Sequence, residues 1–586
     1  MRRLFASALV LLGITLPAMA QRVQVESFTL DNGMEFLLVP RKDQPNVIAA
    51  GWLARVGSVN ERPGITGISH FFEHMMFKGT RTIGTNDPEK DREFNMKQRA
   101  ARDRLFELQM KVQYPRWKAG EIDDPWDPAN DTEEMVRVRA ELKALMDDQA
   151  KTSTVKDEFD QVYTSLGGSG MNAFTTYDLT FYFINVPSNK FELWAWMESD
   201  RLDDSVFREF YSERDVVHEE RRLRTESTPT GEFQEQFDSM FWISSPYAWP
   251  VIGWPSDLNS YSREQAQEYF DIYYRPNNLV GIVVGDFDPA EVKATVTKYF
   301  SRLSRGAVEP PPVITLEVPQ KAEMRMIAEC DCQPQVEVRY HTVPFGHEDS
   351  YALDMLAEIL NGRTGRLYKN LVEGAQVASS ANADAGGFGG PSKYAGAFSF
   401  SAEAKGDARP EVIEAAWYGV LEDLQKNPVG ERELQKVKNQ VAANSYRRLQ
   451  SNFFLLVQLG LFEALGNWEY INEAPARLQA VTAADIQRVA NEYFTPTNRA
   501  VAHYNRKAGA AAEDPELAAL DPQMKAMVKQ ALTQLSSVED PAELEQAIAQ
   551  MEAQASQVPP QFKPAFDIIQ RKARERLEML NAGKSN

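Results

Sequence analysis

The hydrophobic positions at residues 68–77, ISHFFEHMMF, predict a buried helix. The run contains neither Gly nor Pro, and apolar side chains occur on all sides of a helical wheel. A turn with two glycines precedes it, and Thr66 is a candidate N-cap. Because positions four apart share one face of a helix, we expect His70 and His74 to lie side by side.

A second helix is predicted at residues 212–222, where charged positions dominate. The segment SERDVVHEERR starts with Ser and Asp in the spacing of a capping box and continues without a helix breaker. Glu213 and Glu220 are seven positions apart, hence two turns apart on one face. Most charged runs of this kind are solvated helices, and that is the alternative interpretation.

One pattern of polar and apolar positions occurs twice. Residues 262–278 (SREQAQEYFDIYYRPNN) and 482–498 (TAADIQRVANEYFTPTN) both run from a capping Ser or Thr through a helix to a Pro-x-Asn ending. An apolar strand follows each, at 279–285 and 500–504. This internal repeat predicts two similar halves. We expect each half to be a mostly antiparallel sheet backed by helices, so the predicted fold class is α+β.

Shifts in composition divide the chain further. The predicted divisions are a signal peptide (1–20), a first half (21–307), a Pro-rich linker (308–318), a second half (319–507) and a helical extension (508–586). A charged helical insertion is predicted inside the first half, at about 87–161. It could restrict access to a site or form a partner surface, and a solvated appendage is the alternative.

The N-terminal residues have the pattern of an export signal. Two arginines precede an apolar stretch at 4–16, and Ala-Met-Ala at 18–20 forms a small-x-small cleavage site. No later stretch approaches the roughly 20 apolar residues of a membrane span. We therefore expect a periplasmic protein without a membrane span, with secretion beyond the periplasm as the alternative.

Composition and charge limit the partners. The 586 residues are 43% hydrophobic and 25% charged, which is ordinary for a globular protein of several domains. The net charge of −20 disfavours nucleic acid as a partner.

The two cysteines, Cys330 and Cys332, would lie about 6.6 Å apart at Cα on a strand, towards the far end of the disulfide range. They could pair in an oxidising compartment or bind a stray metal, but we predict free or strained thiols without a catalytic role.

The two predicted helices supply the donors of a catalytic zinc site. The imidazoles of His70 and His74 can hold Zn²⁺, and the Glu73 carboxylate can take a proton from water that the ion acidifies. Such a site needs a third protein ligand, and Glu213 and Glu220 could both point at the metal. The alternative is a chance motif in which the histidines are core side chains.

These motifs resemble those of the pitrilysin and insulysin metallopeptidases, the insulinase-like inverted zincins, which include the mitochondrial processing peptidases. That family joins H-x-x-E-H to a later E-R-x-V-x-x-x-E, and HFFEH at 70–74 and ERDVVHEE at 213–220 match both. HMMFKGT at 74–80 and GGSGMNAFTTYDLTFY at 167–182 also match.

The resemblance implies a zinc endopeptidase, with one Zn²⁺ per chain, that cleaves short or unfolded peptides in a hinged, clam-like chamber. The roles it implies are metal ligation by His70, His74 and Glu220, general base catalysis by Glu73, support of the ligands by Glu213, and contact with the substrate backbone by Asn172 and Ala173. Glu219 is the rival third ligand, but on a helix it would face away from Glu213.

One feature of the family is missing from the second half. In self-sufficient relatives an Arg and a later Tyr bind the scissile carbonyl, but the matching stretch here, GRLYKNLVEGAQVASSANA, has Val372 and Ser379 at those positions. Arg366 and Tyr368 lie nearby at the wrong spacing. We therefore expect a heterodimer with a related subunit that supplies the pair, or a homodimer. The alternatives from other functional classes are a non-catalytic peptide-binding or scaffold member and a zinc-storage protein.

Overall fold

A computed structural model describes the chain at residues 22–203, 205–386, 392–508, 515–518, 520, 522–538, 540–555, 558–559 and 562–583. The predicted signal peptide lies outside the described residues. Among the residues described, no helix combines the length and apolar character needed to cross a membrane.

The first half is built on a six-stranded sheet. Its strands are β1 (Glu26–Thr29), β2 (Glu35–Pro40), β3 (Val47–Ala54), β4 (Ser169–Thr175), β5 (Thr180–Pro187) and β6 (Leu279–Gly285). The strand order is β1-β2-β6-β3-β5-β4, and only the β2–β6 pair is parallel. The central strands β3 and β6 are buried along almost their whole length, as apolar runs covered on both faces must be.

Helices and the insertion complete this half. They are α1 (Ile68–Met75), α2 (Pro88–Leu108), α3 (Tyr114–Lys118), α4 (Glu133–Thr152), α5 (Glu158–Ser165), α6 (Phe191–Asp203), α7 (Phe210–Arg221), α8 (Gly231–Phe241), α9 (Pro255–Ser260), α10 (Arg263–Tyr273) and α11 (Pro289–Phe300). Helices α2 to α5 form the predicted insertion, and α2 packs along α4. Buried Gln149 on α4 donates to Asp91 and Asn95 on α2, at 2.7 and 3.0 Å.

The second half has a five-stranded sheet, whose strand order repeats that of five strands of the first sheet. Its strands are β7 (Met324–Cys330), β8 (Gln335–Thr342), β9 (Ala378–Asp384), β10 (Gly396–Ala404) and β11 (Arg499–Arg506). The order β7-β11-β8-β10-β9, with one parallel pair at β7–β11, repeats that of β2-β6-β3-β5-β4. Its helices are α12 (Ser350–Leu360), α13 (Pro410–Lys426), α14 (Glu431–Arg448), α15 (Asn452–Leu465), α16 (Tyr470–Ala480) and α17 (Ala483–Tyr493). The predicted α+β class with two similar halves is confirmed.

The repeated sequence segments form the same local structure. Ser262 and Thr482 each close a capping box at the start of α10 and α17. Asn278 and Asn498, at the end of the repeat, donate to the carbonyls of Tyr273 and Tyr493 at 2.9 and 2.7 Å. The asparagine thus ties the last turn of the helix to the start of the next strand, which explains why the pattern ends in Asn.

Each half covers a face of the other half's sheet. Leu455, Leu456 and Leu459 of α15 pack in a core cluster with residues of β3, β5 and β6. In the opposite direction, Phe237 and Phe241 of α8 pack with residues of β7 and β11. The linker also lies against the first half, since the Glu317 carboxylate accepts from the backbone N–H groups at residues 243–245. The two halves are therefore packed together through apolar side chains.

The described residues of the C-terminal extension form the helices α18 (Pro515–Ala518), α19 (Pro522–Ser537), α20 (Pro541–Gln554) and α21 (Lys563–Gly583). They have small cores of their own, one of which contains Val528 and Ile568. Lys525 of α19 donates to Glu403 of β10 at 2.7 Å, which attaches the extension to the second sheet.

The prediction of free thiols is wrong, because Cys330 and Cys332 form a disulfide. Strand β7 ends at Cys330 and the chain bends at residues 331–332, so the two Cα atoms lie 5.2 Å apart. The sequence-based expectation assumed that the strand continued through both cysteines.

Candidate metal centre and active site

Helix α1 is positioned by its N-terminus. Gly67 is the N-cap with φ of 86°, and a Cβ there would meet the carbonyl oxygen of Ile252 at 2.4 Å, so the position requires glycine. The buried Glu61 carboxylate accepts from the N–H groups of Gly67 and Ser69 at 2.7 and 2.8 Å. Gly67 is therefore the N-cap residue, and the Glu61 side chain supplies the acceptor for the first backbone N–H groups of the helix. The suggestion of Thr66 is wrong, since its hydroxyl donates to Asp257.

Three ligand atoms converge between α1 and α7. Oε2 of Glu220 lies 3.2 Å from Nε2 of His74 and 3.6 Å from Nε2 of His70. Tetrahedral bonds of about 2.0–2.1 Å would separate two ligand atoms by about 3.3 Å, so these spacings fit one Zn²⁺. In the part of the chain that the structure describes, this is the one group of His, Cys, Asp and Glu with the spacing of a metal site.

The two histidines differ in their electrostatic surroundings. Burial, together with the neighbouring His74, lowers the pKa of His70 to about 4 and keeps its imidazole neutral. Burial would also lower the pKa of His74, but hydrogen bonds with Glu213 and Glu220 outweigh it and raise that pKa to about 9. The two carboxylates beside His74 thus favour the protonated imidazolium, and a bound metal ion would take the place of its proton.

Glu213 supports the ligands from behind. Its Oε1 lies 2.9 Å from Nδ1 of His74, and its Oε2 lies 2.5 Å from Nζ of Lys78. When Nδ1 of His74 donates to this carboxylate, the lone pair of Nε2 faces Glu220. Burial opposes the charge on Glu213, yet the bonds to His74 and Lys78 lower its pKa.

Glu73 is held beside the ligands by a strand of the sheet. Thr175 at the end of β4 donates its hydroxyl to Oε2 of Glu73 at 2.7 Å, and no hydrogen bond to Oε1 occurs among the residues that the structure describes. Burial raises the pKa of Glu73, and the hydrogen bond from Thr175 opposes that rise. A carboxylate with a raised pKa is a stronger base, which suits proton transfer.

Strand β4 forms the edge of the first sheet and carries Asn172 and Ala173. In the described residues it pairs with β5 alone, and its register shifts between Ser169 and Asn172. Asn172 is exposed in the same cavity as Glu73, and its Oδ1 accepts from the N–H of Ala173 at 2.8 Å. An exposed edge next to the base is the geometry that accepts an extended peptide.

The chain segments around these residues match known proteins. Residues 38–96, which contain α1, match the model described as Insulinase (Peptidase family M16), and residues 260–441 match the Peptidase M16 inactive domain. The Zinc protease PqqE of Helicobacter pylori is 26% identical over 498 residues, which cover 83% of this chain and 94% of that protein. Two segments of the chain thus match models of peptidase family M16.

Solved structures show the same fold as this chain. A protease from Helicobacter pylori aligns with a TM-score of 0.67 at 23% identity and covers 83% of this chain and 100% of its own. The periplasmic protease PqqL from Escherichia coli aligns with a TM-score of 0.60 at 17% identity, over 86% of this chain but 49% of its own. The structure of the first half of PqqL is covered to 96%. The fold of this chain thus matches that of about half of PqqL.

Among its described residues, the second half of the chain has no equivalent donor set. Helix α12 follows β8 as α1 follows β3, but its sequence SYALDMLAEIL contains no histidine. Arg366 donates to Glu433 and Asp423, Val372 packs against the second core, and Ser379 donates to the carbonyl of Glu403. Each of these three side chains therefore has a structural role within the second half.

Sequence reasoning missed several residues that shape the site. They are Glu61, which accepts from the first N–H groups of α1, Lys78, which binds Glu213, Thr175, which binds Glu73, and Arg208, which lies under the loop after α1. Lys78 and Thr175 lie in the stretches HMMFKGT and GGSGMNAFTTYDLTFY, so their motifs were visible although their contacts were not. Glu61 and Arg208 had no such signal.

Proposed function

We propose that this chain is a zinc-dependent endopeptidase that hydrolyses short or unfolded peptides. The observation that supports this most directly is the convergence of His70, His74 and Glu220, with the carboxylate of Glu73 beside them. The M16 relatives named zinc proteases support the same metal.

Each residue has a distinct task in this proposal. His70, His74 and Glu220 would hold one Zn²⁺, which when bound supplies an acidified water and a polarised carbonyl. Glu73 takes the proton of the attacking water on the oxygen that Thr175 does not bind, and passes a proton to the leaving amine. Glu213 accepts a hydrogen bond from Nδ1 of His74, so that the lone pair of Nε2 points towards His70 and Glu220, where the metal would bind.

We infer that the substrate binds as an added strand on β4. Backbone hydrogen bonds to residues around Asn172 and Ala173 would place the scissile bond near Glu73. Such bonds depend little on the side chains of the substrate. This mode suits short or unfolded chains, because a folded substrate has few free backbone groups.

We also propose that a second chain completes the enzyme. The chain covers 96% of the first half of PqqL and 49% of the whole, and a second unit of similar size would correspond to the rest of PqqL. The proposed partner is a related subunit that brings the Arg and Tyr that Val372 and Ser379 replace here, or a second copy of this chain. Sedimentation of the protein alone and after copurification from its native host tests this, and a fully active monomer would contradict it.

We propose a periplasmic location for the mature protein. The expected export signal at 1–20 and the periplasmic relative PqqL support it. Fractionation of the native cells, with the mature N-terminus read by mass spectrometry, is the test.

A non-catalytic member of M16 is the competing function. The match to the inactive domain favours it, but that match covers residues 260–441 and leaves out α1 and α7. The proposed metal and base residues therefore lie outside the region that resembles inactive domains.

The deciding experiment compares wild-type protein with Glu73→Gln on a quenched peptide library. We expect zinc-dependent hydrolysis in the wild type, its loss with a chelator, and loss of turnover in Glu73→Gln with zinc content unchanged by mass spectrometry. Glu232→Gln, on exposed α8 surface, is the matched control. Equal turnover in Glu73→Gln would contradict the assignment, and zinc uptake without hydrolysis by any variant would favour a binding role.

A further inference from the structure

A cavity of about 270 Å³ opens directly beside Glu73 and His74. Its lining includes the segment after α1, with Phe77 and Lys78, and the end of the insertion, residues 154–159, which we call the insertion wall. The cavity thus joins the proposed catalytic residues to the part of the chain that has no match in the family motifs.

The insertion wall is firmly attached to the loop after α1. Val155 donates its N–H to the carbonyl of Gly84 at 3.0 Å, and the Glu158 carboxylate accepts from the N–H of Gly84 at 2.5 Å. Thr154 and Thr85 form a β-bridge. The wall therefore holds its distance from the base, as a specificity pocket requires.

Arg208, which lines the cavity, is held by a buried ion pair and by backbone carbonyls. Arg208 donates to the carbonyls of Lys78, Ile83 and Thr80 and binds Asp91 of α2 at 3.1 Å. Its guanidinium is almost fully buried and its donors are occupied by these groups. It therefore adds little positive charge to the interior of the cavity.

The remaining charge in the cavity is negative. Lys78 lies between Glu213 at 2.5 Å and Glu209 at 3.8 Å, so two carboxylates neutralise it. On the insertion wall, Asp157 and Glu158 stand against one lysine, Lys156. The Asp157 carboxylate is exposed, and no hydrogen bond or ion pair to it occurs within the described ranges.

The cavity also has apolar surface that suits a long side chain. Phe77, Phe159 and Val155 belong to its lining, together with Glu73 and Asp157. Lysine and arginine combine an aliphatic stem with a terminal cation, and they bind best where apolar walls lead to a carboxylate.

We propose that this cavity binds a lysine or arginine side chain next to the scissile bond of the substrate, and that Asp157 selects it. The proposal rests on the proposed peptidase function and specifies its substrate class. Asp157 adopts φ of 55°, a left-handed conformation that asparagine tolerates equally well. Asp157→Asn therefore removes the charge and keeps the backbone.

The test uses quenched peptides that differ in one residue beside the scissile bond, which is lysine or its uncharged isostere norleucine, at either flanking position. In the wild type we expect higher kcat/KM for lysine, and in Asp157→Asn we expect the lysine-to-norleucine ratio to fall about fivefold. Asp160→Asn makes the same change on the exposed face of α5, outside the cavity, and should leave the ratio unchanged.

The same peptides are titrated into chelator-treated full-length protein by fluorescence anisotropy, so that the preference is measured without turnover. The cavity assignment would be overturned if wild-type protein gave equal kcat/KM and equal Kd for the lysine and norleucine peptides. It would also be overturned if the lysine-to-norleucine ratio fell equally in Asp157→Asn and Asp160→Asn. In both cases zinc-dependent hydrolysis would still stand. A lysine preference in binding without any hydrolysis would instead support the cavity and contradict the proposed peptidase.

Discussion

Nδ1 of His74 lies 2.9 Å from the carboxylate of Glu213, two turns before Glu220 on the same helix. Helix α7 thus provides both a carboxylate that faces the proposed metal and a carboxylate that orients one of its imidazole ligands.

Glu213→Gln should therefore bind zinc more weakly than the wild type. Loss of a carboxylate behind a histidine ligand typically costs about 10- to 100-fold in metal affinity. Competition with a chromophoric chelator measures the zinc Kd. Asp215→Asn, on the same helix but outside the ligand group, is the control, and equal affinities in the two variants would contradict the supporting role.

Glu220 and its neighbour Glu219 offer a matched pair. The Glu219 carboxylate binds Arg222 and is half exposed, whereas Glu220 faces both histidines. We expect Glu220→Gln to lose stoichiometric zinc and Glu219→Gln to keep it, with mass spectrometry of the dialysed proteins as the measurement. Loss of zinc from Glu219→Gln alone would reverse the ligand assignment.

Thr175→Val should lower kcat and shift its pH dependence. The lost hydrogen bond to a carboxylate corresponds to about tenfold or more in rate. The Thr175 hydroxyl also lowers the pKa of Glu73, so its removal raises that pKa. Since the base must be deprotonated, activity of the variant will be lost at a higher pH during acidification.

The pH profile of kcat for Thr175→Val, compared with Thr164→Val, measures this effect. Thr164 lies on α5, and its hydroxyl bonds to carbonyls of its own helix. An acidic limb at the same pH in both variants would mean that Thr175 does not act on Glu73.

Glu61→Ala should destabilise the protein and loosen α1. The substitution leaves two backbone N–H groups at the start of the helix without their acceptor, at a cost of about 1–3 kcal/mol. Denaturant unfolding measures the free energy, and Glu121→Ala at an exposed position is the control. A stability equal to that of the control would show that water replaces the carboxylate.

Asp91→Asn should lower the free energy of unfolding by more than Glu61→Ala does. It leaves the buried Arg208 guanidinium without its counter-ion, and breaking a buried pair in this way costs about 3–5 kcal/mol. Asp103→Asn changes the exposed side of the same helix and should have a small effect. If thermal unfolding found both variants equally stable, the insertion would not be part of the core of the first half.

The amino-acid sequence determined the elements and the repeat of this protein. The capping residues at Ser262 and Thr482 and the run at residues 68–77 are local signals, because caps and helix faces depend on neighbours within a few positions. The spacing of His70, Glu73 and His74 on one helix follows from the same local geometry.

Only the tertiary structure decided the contacts between distant segments. The contact of Glu61 with the start of α1, the bond from Thr175 to Glu73 and the buried pair of Arg208 with Asp91 join residues that no periodicity relates. The same holds for the packing of α15 on the first sheet and of α8 on the second sheet, and for the position of the insertion wall beside Glu73. Packing brings these groups together, and packing depends on the shape of the whole folded chain.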